Sequence, residues 1–284
     1  MNLILISTSD VESGRADVLD RMLRSVEAAA AVLHPRVSIK VLLLLQKCHE
    51  YQYWKIGQTL PSFVQAIPSA ETLSLSAARN QLLSYASFNG MIDAETVVGF
   101  PDDDCWYPHG VLELIARSFA QSPHLGLWFS RYSSNPVAVA EVKRAMRAAS
   151  PRDVIREASS NTMFVRGRVL REGAAFDETL GIGTVNGGGE DTEFALRAWL
   201  STRHALYLPA AVIGHRDKTP QLRPKYYRGG LIALARHARQ PRIGFELARK
   251  LAVGLWLVGT RQLPVAAFRT AVSAAMKSRR PAAA

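Results

Sequence analysis

Cysteine is nearly absent. Two thiols, Cys48 and Cys105, in 284 residues cannot staple a fold. An apolar core must hold the chain instead, and a reducing compartment is expected. Long apolar runs are also missing. The longest, 251–260, is about half of what a membrane-spanning helix needs. Met1-Asn2-Leu3-Ile4-Leu5-Ile6 enters an apolar strand with no basic residues before it, so no signal peptide is expected. Acidic residues are scarce in the last third: residues 201–284 hold 16 Lys+Arg and 2 Asp+Glu, whereas the first 200 carry 19 basic and 22 acidic groups. The net charge of +11 therefore belongs to the C-terminal region. A basic tail of this kind suits nucleic acid, an anionic membrane surface, or solubility alone. No internal repeat is present.

What remains is an ordinary globular composition, 48% hydrophobic and 8% aromatic, ample for one sizeable core. Leu3–Ser7 reads as a buried strand. A helix follows over about 15–33, with Val18, Leu19, Met22, Leu23 and Val26 at helical spacing. Val37–Leu45 reads as a central strand, 46–69 as irregular, 74–86 as a helix and 96–100 as a third strand. Pro108–Gln121 is expected to be helical, with Pro near its start. This alternation predicts an α/β sandwich with a largely parallel sheet, whose ligands bind beyond the carboxyl ends of the strands. The second half reads as strands at 125–129 and 161–166 flanking a mobile helical insert at 136–157. A Gly-rich loop at 181–189 follows, then a helix from Glu190 to about Leu200 and short strands at 205–208 and 211–213. Residues 226–284 read as a basic, amphipathic helical tail, and 1–225 as the main domain.

Three groups carry chemistry. Asp102-Asp103-Asp104 stands at a strand end, where three adjacent carboxylates repel one another. A divalent cation, Mn²⁺ or Mg²⁺, is the natural counter-charge; a solvated turn is the plainer alternative. Glu190-Asp191 opens a helix, where helix capping alone would favour carboxylates. Gly187-Gly188-Gly189 just before it permits positive φ and close approach of a ligand to the backbone. Either carboxylate can act as a base toward a hydroxyl. His215 follows a short strand; a neutral imidazole joins carboxylates readily around Mn²⁺. Arg216, Lys218 and Arg223 can meet diphosphate charge. Cys105 reads as a packing residue and Trp106 as either a wall of the site or a platform for a sugar. Trp128 and Trp199 read as core.

In order and rough spacing, these elements resemble glycosyltransferase family 2 and related enzymes of the GT-A fold. The resemblance rests on Leu75-Ser76-Ala77-Ala78-Arg79-Asn80, Phe100-Pro101-Asp102-Asp103-Asp104, Phe176-Asp177-Glu178, Gly187 through Phe194, and His215. The segment Gly214–Lys218 also looks like the metal-binding His segment of β-1,4-galactosyltransferases. The resemblance covers about residues 1–230. It implies a GT-A fold with a mixed, mainly parallel sheet, and an inverting transfer from a nucleotide-sugar, UDP-sugar first, to a saccharide or lipid-linked acceptor in bacterial surface polysaccharide synthesis. Asp104 and His215 would hold the metal, with Asp102 shared between metal and ribose. Asp191 would be the base, and Glu190 and Trp106 would meet the acceptor. Thr8, Arg79, Asp103, Gly188 and Gly189 would line the nucleotide-sugar site, with Asp103 mainly structural on another reading. The chain departs from the family in having Gln46-Lys47-Cys48 where an Asp usually holds the base. It also lacks the Gln-x-x-Arg-Trp motif of processive synthases. A cytoplasmic enzyme is implied, possible as a peripheral protein on the inner membrane face. Two other classes compete. A nucleotidyltransferase would need an N-terminal run of glycines that Ser7–Gly14 lacks. A non-catalytic nucleic-acid or membrane binder would leave the carboxylates unexplained, and no nucleic-acid partner is expected.

Overall fold

The computed structural model describes residues 1–171, 175–217 and 223–278. Among these residues, eight strands form one sheet in the order β3-β2-β1-β4-β7-β5-β8-β6. The first half is parallel: β1 (Asn2–Asp10) lies between β2 (Ser38–Gln46) and β4 (Val97–Gly99), and β3 (Val64–Ser69) pairs with β2 at the edge. β7 (Met163–Arg166) runs antiparallel between β4 and β5 (Leu125–Ser133). β8 (His204–Gly214) is parallel to β5, and the short β6 (Arg147–Ala148) closes that edge. The sheet is thus mixed and mainly parallel, as expected.

Period-2 alternation divides the strand side chains between two apolar layers. In β2, Leu42 and Leu44 enter one buried cluster while Val41, Leu43 and Leu45 enter the other. The second layer is covered by α1 (Ala16–Ala30), through Met22, Leu23 and Val26, and by α4 (Val111–Gln121). The first is covered by α3 (Leu75–Phe88) and α7 (Glu190–Ser201). Ser74 caps α3 by accepting from the Ala77 N–H, satisfying one of the free donors of the first turn.

Three expectations need correction. Residues 46–69 are not irregular: they hold α2 (Glu50–Gly57) and β3. α2 buries no residue fully, so it leaves no periodic apolar signal. β3 is an edge strand only half covered, and it carries Pro68, a residue tolerated at edges. The insert at 136–157 is not one helix. It supplies a 3₁₀ turn, the edge strand β6, and only then α5 (Pro151–Glu157). The two short strands expected at 205–213 are one strand, β8, with register shifts along its pairing to β5.

Beyond His215 come α8 (Arg223–His237), α9 (Pro241–Gly259) and α10 (Val265–Ser278). The expected division at 225/226 falls inside α8. Tyr227 and Leu231 through Ala235 are buried in the same apolar cluster as β4 and α7. Among the described residues, no helix is long and apolar enough to cross a membrane.

Candidate active site

β7 is antiparallel to β4, so the start of β7 lies at the carboxyl end of β4. β8 runs parallel to β4 through β7 and β5, and its carboxyl end reaches the same edge. The loop after β4, the 3₁₀ turn Ser160–Thr162 before β7, and His215 after β8 therefore converge. Trp106 ties two of these loops together. It exchanges both backbone hydrogen bonds with Gly214, each 2.9 Å long. A Cβ at Gly214 would lie 2.0 Å from the Trp106 ring, so that position requires glycine.

Asp102, Asp104 and His215 come together, with one ligand atom from each lying within 4.8 Å of the others. His215 Nε2 is 3.1 Å from Asp104 Oδ1 and 3.6 Å from Asp102 Oδ2. Among the described residues, neither Nε2 nor Asp104 Oδ1 has an aligned hydrogen-bond partner, although both atoms are buried. Buried polar atoms without partners are rare, and this set of two carboxylates and an imidazole fits a divalent cation such as Mn²⁺. His215 Nδ1 lies 2.9 Å from the Arg216 carbonyl, a contact that orients the ring and turns Nε2 inward. Burial opposes the imidazolium, but Asp102 and Asp104 raise the His215 pKa to about 9. Burial likewise disfavours the Asp102 carboxylate, but His215, Arg79 and Asn161 bring its pKa down to about 2.

The three aspartates differ in environment. Asn161 holds Asp102 from two sides: its Oδ1 accepts the Asp102 backbone N–H at 2.7 Å, and its Nδ2 donates to Asp102 Oδ2 at 3.1 Å. Asp103 turns toward β1, accepting from Ser9 Oγ at 2.7 Å and pairing with Arg15 at 2.7 Å. Burial raises its pKa. Asp104 pairs with Arg15 at 2.8 Å and Arg216 at 3.4 Å. Arg21 donates to the Asp104 carbonyl and lies 4.3 Å over the Trp106 ring.

Arg79 is fully buried and links the two acidic groups. Its guanidinium is 2.9 Å from Asp102 Oδ1 and 3.3 Å from Asp191 Oδ1. Asp191 Oδ2 also accepts from the Ser160 N–H at 2.9 Å and from the Ser159 and Ser160 hydroxyls. Beneath them the three motif phenylalanines meet. Phe176 and Phe194 stack at 4.2 Å, and Phe100 approaches both edge-on. Such pairs contribute about 0.5–1.5 kcal/mol each beyond area burial. Asn80 completes the arrangement by exchanging hydrogen bonds with the backbone of Phe176. The motifs are thus joined through one aromatic cluster.

Glu190 is buried, its carboxyl close to Gly181, where a Cβ would lie 3.0 Å from it. Burial, then the neighbouring Asp191, lifts its pKa to about 7. Gly187 and Gly189 adopt positive φ. The close approach they and Gly188 permit is made by α8: a Cβ on Gly189 would lie 2.4 Å from the Gly229 backbone, and one on Gly188 would meet Tyr226 at 2.9 Å. Thr8 accepts from Gln46 Nε2 at 2.8 Å, while Gln46 Oε1 accepts from the Leu73 N–H. Lys218 and the Arg223 side chain lie outside the described residues. Trp128 is in the core of one apolar layer, and Trp199 is partly buried against the other, donating to the Ala149 carbonyl.

Sequence reasoning did not single out Asn161, Ser160, Tyr132 or the neighbouring cavity. That cavity, of about 300 Å³, is lined by Arg131, Tyr132, Glu157, Ala211 and Asp217. Tyr132 packs edge-on against His215 at 4.9 Å. The only sequence signal was position, since all of these residues lie near the carboxyl ends of β5 and β8 or just before β7.

The fold is shared with solved structures of GT-A glycosyltransferases. S. aureus TarS 1–349 in complex with UDP-GlcNAc superposes with a TM-score of 0.69 at 13% identity, over 99% of this chain and 82% of that one. The same protein in complex with UDP gives 0.63 at 14% identity, over 98% and 89%. The mannosyltransferase PcManGT from Pyrobaculum calidifontis, in complex with GDP-Man and Mn²⁺, gives 0.61 at 15%, over 97% and 75%. At these identities the likeness establishes the fold. No family model and no curated protein matches the sequence.

Proposed function

We propose that this protein is an inverting, metal-dependent glycosyltransferase. The donor is a nucleoside-diphosphate sugar, a UDP-sugar first. The acceptor is a saccharide or lipid-linked sugar of bacterial surface polysaccharide synthesis, met by a cytoplasmic, peripheral enzyme. The observation that carries this reading is the convergence of Asp102, Asp104 and His215, with Asp191 joined to Asp102 through Arg79.

Asp104 and His215 would hold the cation, with Asp102 shared between the metal and the ribose of the donor. Thr8, Arg79 and Asp103 form the surroundings of the donor, whereas Gly188 and Gly189, covered by Tyr226 and Gly229, seat α8 beside them. A bound Mn²⁺ or Mg²⁺ supplies positive charge to the diphosphate as it leaves. Asp191 Oδ1 takes the proton of an acceptor hydroxyl. The hydroxyl oxygen then bonds to the anomeric carbon from the face opposite the diphosphate. The carbon–oxygen bond to the nucleotide breaks, and the nucleoside diphosphate leaves with the electron pair. Ser159 and Ser160 hold the base in place. The cavity lined by Tyr132, which packs against His215, and by Glu157, two residues before Ser159, suits the acceptor. Glu190 and Trp106 complete the acceptor side.

Release of nucleotide from a panel of nucleotide-sugars with Mn²⁺ tests the activity. Release of pyrophosphate instead would place the chain among nucleotidyltransferases. Asp191→Asn should lower transfer about 10²–10⁴-fold while donor and metal still bind. Near-normal turnover in that variant would remove Asp191 from the role.

A further inference from the structure

The pattern of α9 is inverted on its outer face. At 100° per residue, Phe245, Ala248, Ala252, Leu255 and Trp256 fall within an arc of about 100°, and that arc faces solvent. Phe245, Leu255 and Trp256 are 69%, 61% and 58% exposed. A helix covering a core normally turns such residues inward, as α9 does with Ile243, Leu247 and Leu257 on its other side. An exposed apolar strip of this kind marks a contact surface.

The charge around the strip has one sign. Arg242 and Arg249 border it, and Arg261, Arg269 and Lys277 follow on the connecting turn and α10. The only carboxylate side chain between positions 218 and 284 is Glu246. It is buried and neutralised by Arg249 at 2.7 Å.

The strip also has a fixed place relative to the acidic site. The Tyr227 hydroxyl donates to the Lys250 carbonyl at 3.0 Å, and Gly254 packs directly on that hydroxyl. The next residues, Tyr226 and Gly229, cover Gly188 and Gly189, which lead into Asp191. The Leu255–Trp256 end of the strip therefore lies at the level of the first turns of α8, on the side of α9 turned away from Tyr227.

We infer that the outer face of α9, with the basic residues of α10, docks on an anionic lipid bilayer, Phe245, Leu255 and Trp256 entering the interface and the arginines meeting headgroup charge. It rests on the glycosyltransferase reading only for its purpose, to hold the site beside a lipid-linked acceptor. A second copy is a poorer occupant, because a two-fold contact centred on the strip would set Arg249, near its middle, against its own counterpart.

Flotation of the full chain with phosphatidylcholine vesicles, with and without phosphatidylglycerol, tests the inference. Binding is expected only with phosphatidylglycerol and should weaken as salt rises. The triple variant Phe245→Ser, Leu255→Ser, Trp256→Ser should lose at least about tenfold in partitioning. Arg242→Glu with Arg261→Glu should lose a similar factor. All five positions are exposed, so unchanged melting temperatures are expected to accompany both losses. Wild-type binding that the triple variant keeps would overturn the proposal. So would a wild-type chain that stays off vesicles, including one that self-associates through this face. Nucleotide release in solution reads the other hypothesis separately: the triple variant should retain it, and its loss in wild type would leave the vesicle result standing.

Discussion

His215 Nε2 faces Asp104 Oδ1 across 3.1 Å, and among the described residues neither buried atom has an aligned hydrogen-bond partner. The two atoms belong to loops after different strands, β8 and β4, and the Trp106–Gly214 backbone pair keeps those loops in register. On the proposed reading, the gap between them is where a cation is held. His215→Ala and Asp104→Asn should each weaken Mn²⁺ binding by more than about tenfold, measured by titration calorimetry or by the free-Mn²⁺ resonance signal. Unchanged affinity in both variants would exclude this pair as ligands.

Glu190 gives a pH dependence of defined sign. Its pKa is raised from 4.5 to about 7, first by burial and then by Asp191. Between those values the folded state holds a proton that the unfolded chain releases. Stability contributed at this position therefore falls as pH rises through that window, and levels off above it. Glu190→Gln should lack this component. The difference between the two stability profiles, from urea unfolding over about pH 5–8, should slope in that direction. A flat difference would contradict the buried, protonated environment.

Arg79 separates the carboxylates of Asp102 and Asp191 and neutralises both. Arg79→Met should cost about 1–3 kcal/mol, because it leaves two partly buried carboxylates without their shared counter-charge. Arg79→Lys should recover only part of that, since a single ammonium cannot span both groups as a guanidinium fork does. Denaturant midpoints read both effects.

Gly229 tests the seat of α8 on the loop before α7. A Cβ there would lie 1.7 Å from the Gly188 carbonyl oxygen. Gly229→Ala should destabilise by about 1–3 kcal/mol through overpacking. Gly57→Ala is the matching control: a Cβ at that position meets nothing within 4 Å. Its effect should be near neutral or slightly stabilising.

The acidic cluster was legible because its chemistry is local. Asp102-Asp103-Asp104 follows an apolar strand directly, and the repulsion of adjacent carboxylates points to a counter-charge whatever the fold. The alternating order of strands and helices was legible for the same kind of reason, since Leu42 and Leu44 face one layer while Val41, Leu43 and Leu45 face the other. β3 and α2 were not legible: an edge strand and a surface helix bury too little to impose a period. The helical reading of 136–157 failed because β6 is held by pairing with β8, a contact that lies about 60 residues further along the chain and leaves no local mark.

The glycines carry a different lesson. Gly187-Gly188-Gly189 signals close approach, but local sequence does not name the approaching group. The backbone and Tyr226 of α8 fill that role. Likewise Asn161 and Ser160 carry no distinguishing pattern. They reach Asp102 and Asp191 because β7 runs antiparallel to β4 and delivers its first residues to the carboxyl edge.

Sequence alone determined the apolar layers, the acidic strand end, the carboxylates opening α7, and the basic, amphipathic character of the last third. Each depends on neighbours along the chain or on summed charge. Tertiary structure decided which aspartate faces His215, which one turns to Ser9 and Arg15, that Arg79 bridges to Asp191, and that the apolar strip of α9 points outward. Those outcomes depend on strand order and helix packing, which bring together groups about 100 residues apart and leave one helix face without a cover.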